Sequence, residues 1–279
     1  MATEEIMERK ISLAGDLGSG KSTVSKILID RMGAEYYSTG AIVRSIAERR
    51  GMSVVELNVY METHPEIDTE IDDGLVALGE VNKLLIIDSR MAWHFTPDTF
   101  KVYLSVDIET SALRIMNANR TGEHSSTLEE TIADTRARRE SEKKRYLTQY
   151  GVDIKDLSNY SLIVDTSIAT PEEVAECIID AFEEWKENCE YKRVYVSPER
   201  LNYPDDEADG ELVCKYAEDL QCNKKLPEVC VFELDGEFYV DSAPETALAY
   251  AFNMNTFVPC KLIKSEIGSR RFVKMKNSI

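Results

Sequence analysis

The sequence predicts an α/β fold, with a parallel sheet flanked by helices and then a small α+β segment. Three observations predict it. Short apolar runs such as residues 84–88 alternate with helical patterns up to residue 189. A glycine-rich stretch lies between the first run and the first helix. The pattern changes after residue 190, so we expect two domains, at 1–189 and 190–279.

In the first domain, strands are expected over residues 10–14, 34–37, 84–88, 100–106 and 162–165. Helices are expected over 22–32, 39–50, 54–61, 67–78, 109–119 and 128–150, and from 171 to about 188. The last of these helices has a strong start signal, because Thr170 precedes a proline and two glutamates. This strand and helix alternation favours parallel strands joined by crossover helices.

The second domain is expected to begin with a strand at residues 193–196, followed by a helix at 211–221. Residues 229–234 and 237–240 read as a β-hairpin, because Asp235-Gly236 suits a type I′ turn. A helix over 243–252 and a strand over 257–263 complete the segment.

The composition excludes some classes of protein. The formal net charge is −18, which argues against general nucleic-acid binding, since that requires a basic footprint. No apolar run approaches the ~20 residues that span a bilayer. The amino terminus lacks the apolar core of a signal peptide. We therefore expect a cytoplasmic protein without a membrane segment.

The stretch GDLGSGKST, Gly15 to Thr23, matches the P-loop pattern in the required place between a strand and a helix. Such a loop turns its backbone N–H groups toward phosphate oxygens. Lys21 would reach the outer phosphates, and the Ser22 hydroxyl would ligate magnesium. The sequence therefore predicts ATP and Mg²⁺ as ligands, bound through Gly15, Gly18, Ser19, Gly20, Lys21, Ser22 and Thr23.

Two carboxylates near this loop need an explanation. Asp16 lies inside the phosphate cradle, where its charge would repel the ligand unless it points outward or pairs with a cation. We expect an outward, solvated side chain. Asp88 ends the aliphatic strand, where it either holds Mg²⁺ or its water, or caps a turn.

Arginines that could bind phosphate occur in three places: at Arg44, at Arg90 and along the helix over 128–150. On that helix Arg138 and Arg145 are seven residues apart and share a face. An enzyme that brings two phosphorylated substrates together needs such positive charges to neutralise them. The alternative is a solvated face on which Glu140 and Glu142 pair locally. The tyrosines at 36 and 37 are expected in the core.

GDLGSGKS, STGAIVR, IIDSR, RRESEKKRY and YGVDIKDLSNYSLIVDTS together resemble the cytidylate kinase family, nearest its compact branch, over about residues 9–185. The resemblance implies a P-loop kinase that transfers a phosphoryl group from ATP to CMP or dCMP with Mg²⁺. It implies that Lys21, Asp88, Arg138 and Arg145 are catalytic, that Arg120 contacts the donor, and that Thr39, Arg44, Arg90 and Asp153 serve the acceptor.

Met91 stands where larger bacterial members carry an aspartate used in cytosine recognition. The acceptor is therefore left open. One alternative is a P-loop kinase of another small acceptor. The other is a regulatory protein that senses nucleotides without turnover.

Residues 190–279 weakly resemble a ParB/sulfiredoxin-like domain. That family has a Gly-x-His-Arg turn after its hairpin, whereas this chain has Ser-Ala-Pro-Glu from Ser242. We expect a degenerate, non-catalytic module for regulation, a protein partner or self-association.

Overall fold

One continuous sheet organises the computed structural model, which describes residues 9–61, 63–118, 127–205, 208–268 and 270–275. Its strands are β1 (Lys10–Gly15), β2 (Glu35–Ser38), β3 (Leu85–Asp88), β4 (Thr99–Ser105), β5 (Leu162–Asp165), β6 (Arg193–Val196), β7 (Leu201–Pro204), β8 (Val229–Leu234), β9 (Glu237–Ser242), β10 (Val258–Leu262) and β11 (Phe272–Lys274). Their spatial order is β2-β3-β1-β4-β5-β6-β10-β8-β9-β7-β11.

The helices are α1 (Lys21–Met32), α2 (Thr39–Arg49), α3 (Val54–Met61), α4 (Pro65–Ala77), α5 (Ala92–Phe95), α6 (Ile108–Asn117), α7 (Leu128–Tyr150), α8 (Pro171–Glu187), α9 (Gly210–Gln221) and α10 (Pro244–Phe252). Thr170 caps α8 in a capping box with Glu173. Within the described ranges, no helix has both the length and the apolar character needed to cross a membrane.

Strands β1 to β6 run parallel to one another, so their carboxyl ends lie at one edge of the sheet. The other five strands form a mixed extension that joins through the antiparallel pair β6 and β10. Because β1 occupies a central position, the loop that follows it emerges in the middle of that edge.

Alternate residues of the central strands divide the core in two. Ile11 and Phe100 point to the face covered by α1 and α8, where Phe182 and Trp185 pack. Tyr103 points to the opposite face, in a cluster with residues of both predicted domains. This period of two is the pattern expected for strands buried on both faces.

The fold class predicted from sequence is confirmed, and most predicted elements lie within a few residues of the observed ones. The hairpin forms as expected, with φ of +53° at Asp235 and +84° at Gly236. The short helix α5 and strands β7 and β11 were not predicted. The division at residue 189 stays a prediction, although the sheet crosses it through the parallel pairing of β5 with β6.

Replacing Phe100 with alanine should destabilise the protein strongly. Its side chain is fully buried, with ring centroids 5.8 Å from Phe182 and 5.4 Å from Trp185. We expect the free energy of unfolding to fall by about 3–5 kcal/mol in urea denaturation. The matched control is Phe252→Ala, which removes a ring that is 54% exposed and should change stability by about 0.5 kcal/mol or less. Equal effects of the two variants would contradict this packing.

Candidate active site

The loop between β1 and α1 has the backbone of a phosphate cradle. A Cβ at Gly15 would lie 2.4 Å from the Leu104 carbonyl oxygen, so only glycine fits between the two strands. Gly18 and Gly20 have φ of +72° and +82°, in the region that glycine adopts without strain. Helix α1 begins directly afterwards at Lys21, which directs its free N–H groups toward the loop.

Lys21 is held at the mouth of this loop. Its Nζ donates hydrogen bonds to the carbonyl oxygens of Gly15, at 3.0 Å, and Asp16, at 3.2 Å. Burial and the charge of Arg90 together lower the pKa of Lys21 to about 8, against the opposing effect of Asp88. An ammonium group has three N–H donors, so one remains for a ligand.

Ser19 supplies an observation that points to a ligand. The residue is 2% exposed, and its Oγ has no hydrogen-bond partner within the described ranges. Buried hydroxyls are normally paired, so an orphaned one in a glycine-rich loop fits a phosphate oxygen. Ser22 and Thr23, the next two predicted ligands, lie in the first turn of α1 with exposed side chains.

The expectation for Asp16 is wrong, because its side chain is buried. Its carboxylate pairs with Lys155 and accepts hydrogen bonds from the Tyr103 hydroxyl, at 2.9 Å, and the Val106 N–H, at 3.2 Å. Burial alone would raise the pKa of Asp16, but the charges of Lys155 and Arg139 hold it below its usual value. The charge inside the cradle is therefore neutralised by the protein.

Asp88 lies beside the loop, since β3 pairs with β1 so that Leu13 is opposite Asp88. Its carboxylate accepts a hydrogen bond from the Tyr36 hydroxyl at 2.9 Å, and its carbonyl accepts one from Thr39 Oγ1 at 3.5 Å. The core interpretation of Tyr36 is wrong, because this residue is 42% exposed and reaches the candidate site.

One glutamate forms ion pairs with two of the predicted arginines. Glu142 Oε2 lies 2.7 Å from Arg90 Nε, and Glu142 Oε1 lies 3.4 Å from Arg138 Nε. Glu142 therefore pairs locally on α7, as the alternative interpretation held, and also across to the end of β3. Arg145 donates to the Tyr146 hydroxyl at 3.1 Å and stacks on that ring.

The remaining predicted residues are less closely joined to the loop. Asp153 lies 3.4 Å from Lys143 Nζ and accepts the Lys155 N–H at 2.9 Å, which ties α7 to the segment after it. Arg44 is exposed on α2. Arg120 lies outside the described residues. Met91 is 3% exposed and packs in an apolar cluster.

Sequence reasoning missed Lys155, Tyr103 and Arg114. Arg114 joins two loops, donating to the Gly18 carbonyl at 3.3 Å and the Thr166 carbonyl at 2.7 Å. A signal for Lys155 was present, because a carboxylate in a phosphate cradle requires a cation nearby. Which residue supplies that cation could not be predicted, because Lys155 lies 139 positions from Asp16 and a local sequence pattern does not reveal such a contact.

The residues present fit a magnesium ion. Mg²⁺ is usually held by one or two carboxylates together with substrate phosphates and waters. Asp88 and the Ser22 hydroxyl match that donor set at the edge of the cradle. In the part of the chain that the structure describes, no group of three metal-ligating side chains forms an all-protein cage.

Comparisons with known proteins point to one family. The model of the cytidylate kinase-like family matches residues 10–168, more than half of the chain. The cytidylate kinase of Thermoplasma volcanium is 38% identical over 63% of this chain and 92% of its own length. That of Sulfurisphaera tokodaii is 36% identical over 62% of this chain and 93% of its own length.

Among solved structures, the shikimate kinase of Bacteroides thetaiotaomicron is similar over 63% of this chain and 98% of its own, with 16% identity and a TM-score of 0.44. The ParB/sulfiredoxin-like resemblance of residues 190–279 is not confirmed.

Replacing Gly15 with alanine should disturb both the sheet and the loop, because the new Cβ would strike the Leu104 carbonyl. We expect the free energy of unfolding to fall by about 1–3 kcal/mol, measured as a lower Tm. Gly210→Ala is the control, because a Cβ there meets nothing within 4 Å and φ is not positive. A Tm for Gly15→Ala equal to that of the control would contradict the close approach of β1 and β4.

Proposed function

The chain belongs to the cytidylate kinase-like family, and from that premise we propose that it transfers a phosphoryl group from ATP to a nucleoside monophosphate, with CMP or dCMP as the preferred acceptor. The observation that carries the proposal is the proximity of donor and acceptor charges. The pKa of Lys21 responds to Arg90, Asp88 and Glu142 together. The P-loop lysine thus shares one electrostatic environment with Arg90, one of the two arginines predicted for the acceptor.

On the donor side, the loop amides and Lys21 would hold the triphosphate of ATP. The orphaned Ser19 hydroxyl and the remaining N–H of Lys21 are free to bind phosphate oxygens. Ser22 and Asp88 would hold Mg²⁺, which supplies positive charge against the phosphates when bound. Tyr36 orients the Asp88 carboxylate by donating to one of its oxygens.

On the acceptor side, Arg90 and Arg138 converge on Glu142. An incoming phosphate would compete with Glu142 for these guanidiniums, whose planar donors match phosphate geometry. Arg145, on the same face of α7, would approach the transferring group. This chemistry requires positioning and charge, without a covalent protein intermediate.

Recognition of the acceptor base does not fall to Met91, because that side chain is buried. Thr39, Arg44 and Asp153 therefore remain the proposed acceptor residues. Thr39 is the best positioned of the three, since its hydroxyl contacts the backbone of Asp88. A cytoplasmic location and a protein partner for residues 190–279 stay predictions.

The test is ADP release from ATP and Mg²⁺ across CMP, dCMP, UMP, AMP and a sugar panel. We expect turnover with CMP or dCMP. Lys21→Ala should lower kcat by about 100-fold or more, because a cation aimed at the transferring phosphoryl group is lost. The control Lys26→Ala removes an exposed lysine of the same helix and should keep the wild-type rate.

Turnover confined to another acceptor would replace the proposal with the alternative of a different small-molecule kinase. No turnover with any acceptor, alongside intact ATP binding, would favour a nucleotide sensor. A wild-type rate in Lys21→Ala would contradict the role of that lysine.

The affinity for ATP should depend on pH through Lys21. Its pKa of about 8 means that the free protein carries the ammonium below pH 8 and loses it above. Because the phosphates are ionised from about pH 7 upward, affinity should be constant between about pH 7 and 7.5 and fall up to about tenfold per pH unit above 8. Calorimetric titration of a non-hydrolysable ATP analogue measures this.

In the Lys21→Arg variant the side chain stays charged across this pH range. The affinity of this variant for the ATP analogue, whatever its absolute value, should therefore not change with pH. A wild-type affinity that is constant up to pH 9.5 would contradict the lowered pKa. A parallel decline in both proteins would assign the pH dependence to another group.

A further inference from the structure

A second cavity, of about 600 Å³, lies where the kinase-like part meets the C-terminal strands. We name it the junction cavity. It is lined by residues from the segments 155–163, 188–194 and 261–265, together with Phe232 and Glu233 of β8. Lys155 and Tyr160 line both this cavity and the cleft beside Asp16, so these two side chains separate the cavity from the cleft. The volume is within the range of small-molecule sites, about 300–1,000 Å³.

The lining of the junction cavity is basic, although the whole chain has a net charge of −18. Five cationic side chains face three acidic ones, and the five are Lys155, Lys192, Arg193, Lys261 and Lys264. Basic residues concentrated in a concave site raise the local concentration of anions. This arrangement therefore favours a ligand with several negative charges.

Lys155 is paired with Asp16, whereas the other four cations are not strongly neutralised by the protein. Arg193 and Lys261 share Glu228 at long distances, 3.7 Å and 3.8 Å. Lys192 Nζ donates to the Ser158 carbonyl, a neutral partner, at 3.0 Å. Lys264 makes no ion pair with any residue in the described ranges. Their charge is thus available to a ligand at modest cost.

Aromatic and aliphatic side chains complete the lining. Leu262 and Ile263 are partly exposed and present apolar surface to the cavity, beside the almost fully buried Tyr160 and Tyr191. A ligand that uses both parts of this site carries a flat ring together with several phosphates. Nucleoside triphosphates have that chemistry.

We propose that the junction cavity binds a nucleoside triphosphate as an inhibitory effector, separately from the P-loop. The link is the Lys155 ammonium, which pairs with Asp16 and donates to the Tyr103 hydroxyl at 2.7 Å. A polyanion in the cavity competes with Asp16 for this ammonium. The Asp16 charge is then less neutralised and repels phosphate in the adjacent cradle. Because coupling is reciprocal, ATP in the P-loop weakens the effector equally.

The test is calorimetric titration of ATP and CTP into the full chain. The wild type should show two binding events for at least one of these nucleotides. Lys21→Ala should weaken the P-loop event and leave the other. The double variant Lys261→Glu, Lys264→Glu should keep the P-loop event and weaken the other about tenfold or more, equivalent to about 1.4 kcal/mol.

Lys215→Glu is the matched charge reversal, on an exposed lysine of α9 that does not line the cavity, and should keep both events. Thermal unfolding checks that each variant is folded. A single event in the wild type, or a second event that the cavity double variant leaves unchanged, would overturn the proposal. These results are independent of the acceptor assay, so failure of one proposal is distinguishable from failure of the other.

Discussion

The pairing of Asp16 with Lys155 is the constraint on which the candidate site depends. A carboxylate in a phosphate cradle is tolerated only when its charge is cancelled, and burial makes an uncancelled charge costly. Lys155 and Arg139 bring positive charge, while Tyr103 and the Val106 N–H supply hydrogen bonds. These partners come from β4, from α7 and from the segment after α7. The cluster therefore fixes the P-loop against three separate parts of the chain.

The elements of the fold could be predicted from sequence because their signals are local. Aliphatic runs, the glycine-rich loop, the Thr170 capping box and the Asp235-Gly236 turn each act within a few residues. Strands β7 and β11 were not predicted, because they are short and depend on pairing with each other and with β9. Their place in the sheet is set by partners distant in sequence, which a single segment does not encode.

The site was predictable in its residue types and only partly in its contacts. The P-loop residues, Asp88 and the arginines were identified from motif and resemblance. The environment of Asp16, the exposed position of Tyr36 and the double pairing of Glu142 were not, because each joins residues from different elements. Met91 shows the converse: its place in the motif left the acceptor open, and packing buries its side chain in an apolar cluster.

The parallel pairing of β5 with β6 has a practical consequence for anyone who shortens this chain. Residues 162–164 of β5 form ladder hydrogen bonds with β6 on the side away from β4. Cutting at residue 189 would leave that aliphatic strand as an open sheet margin, with unpaired N–H and C=O groups and bared apolar side chains. Such margins recruit neighbouring molecules and promote aggregation. A soluble catalytic fragment would need a substitute strand or charged gatekeeper residues along that margin.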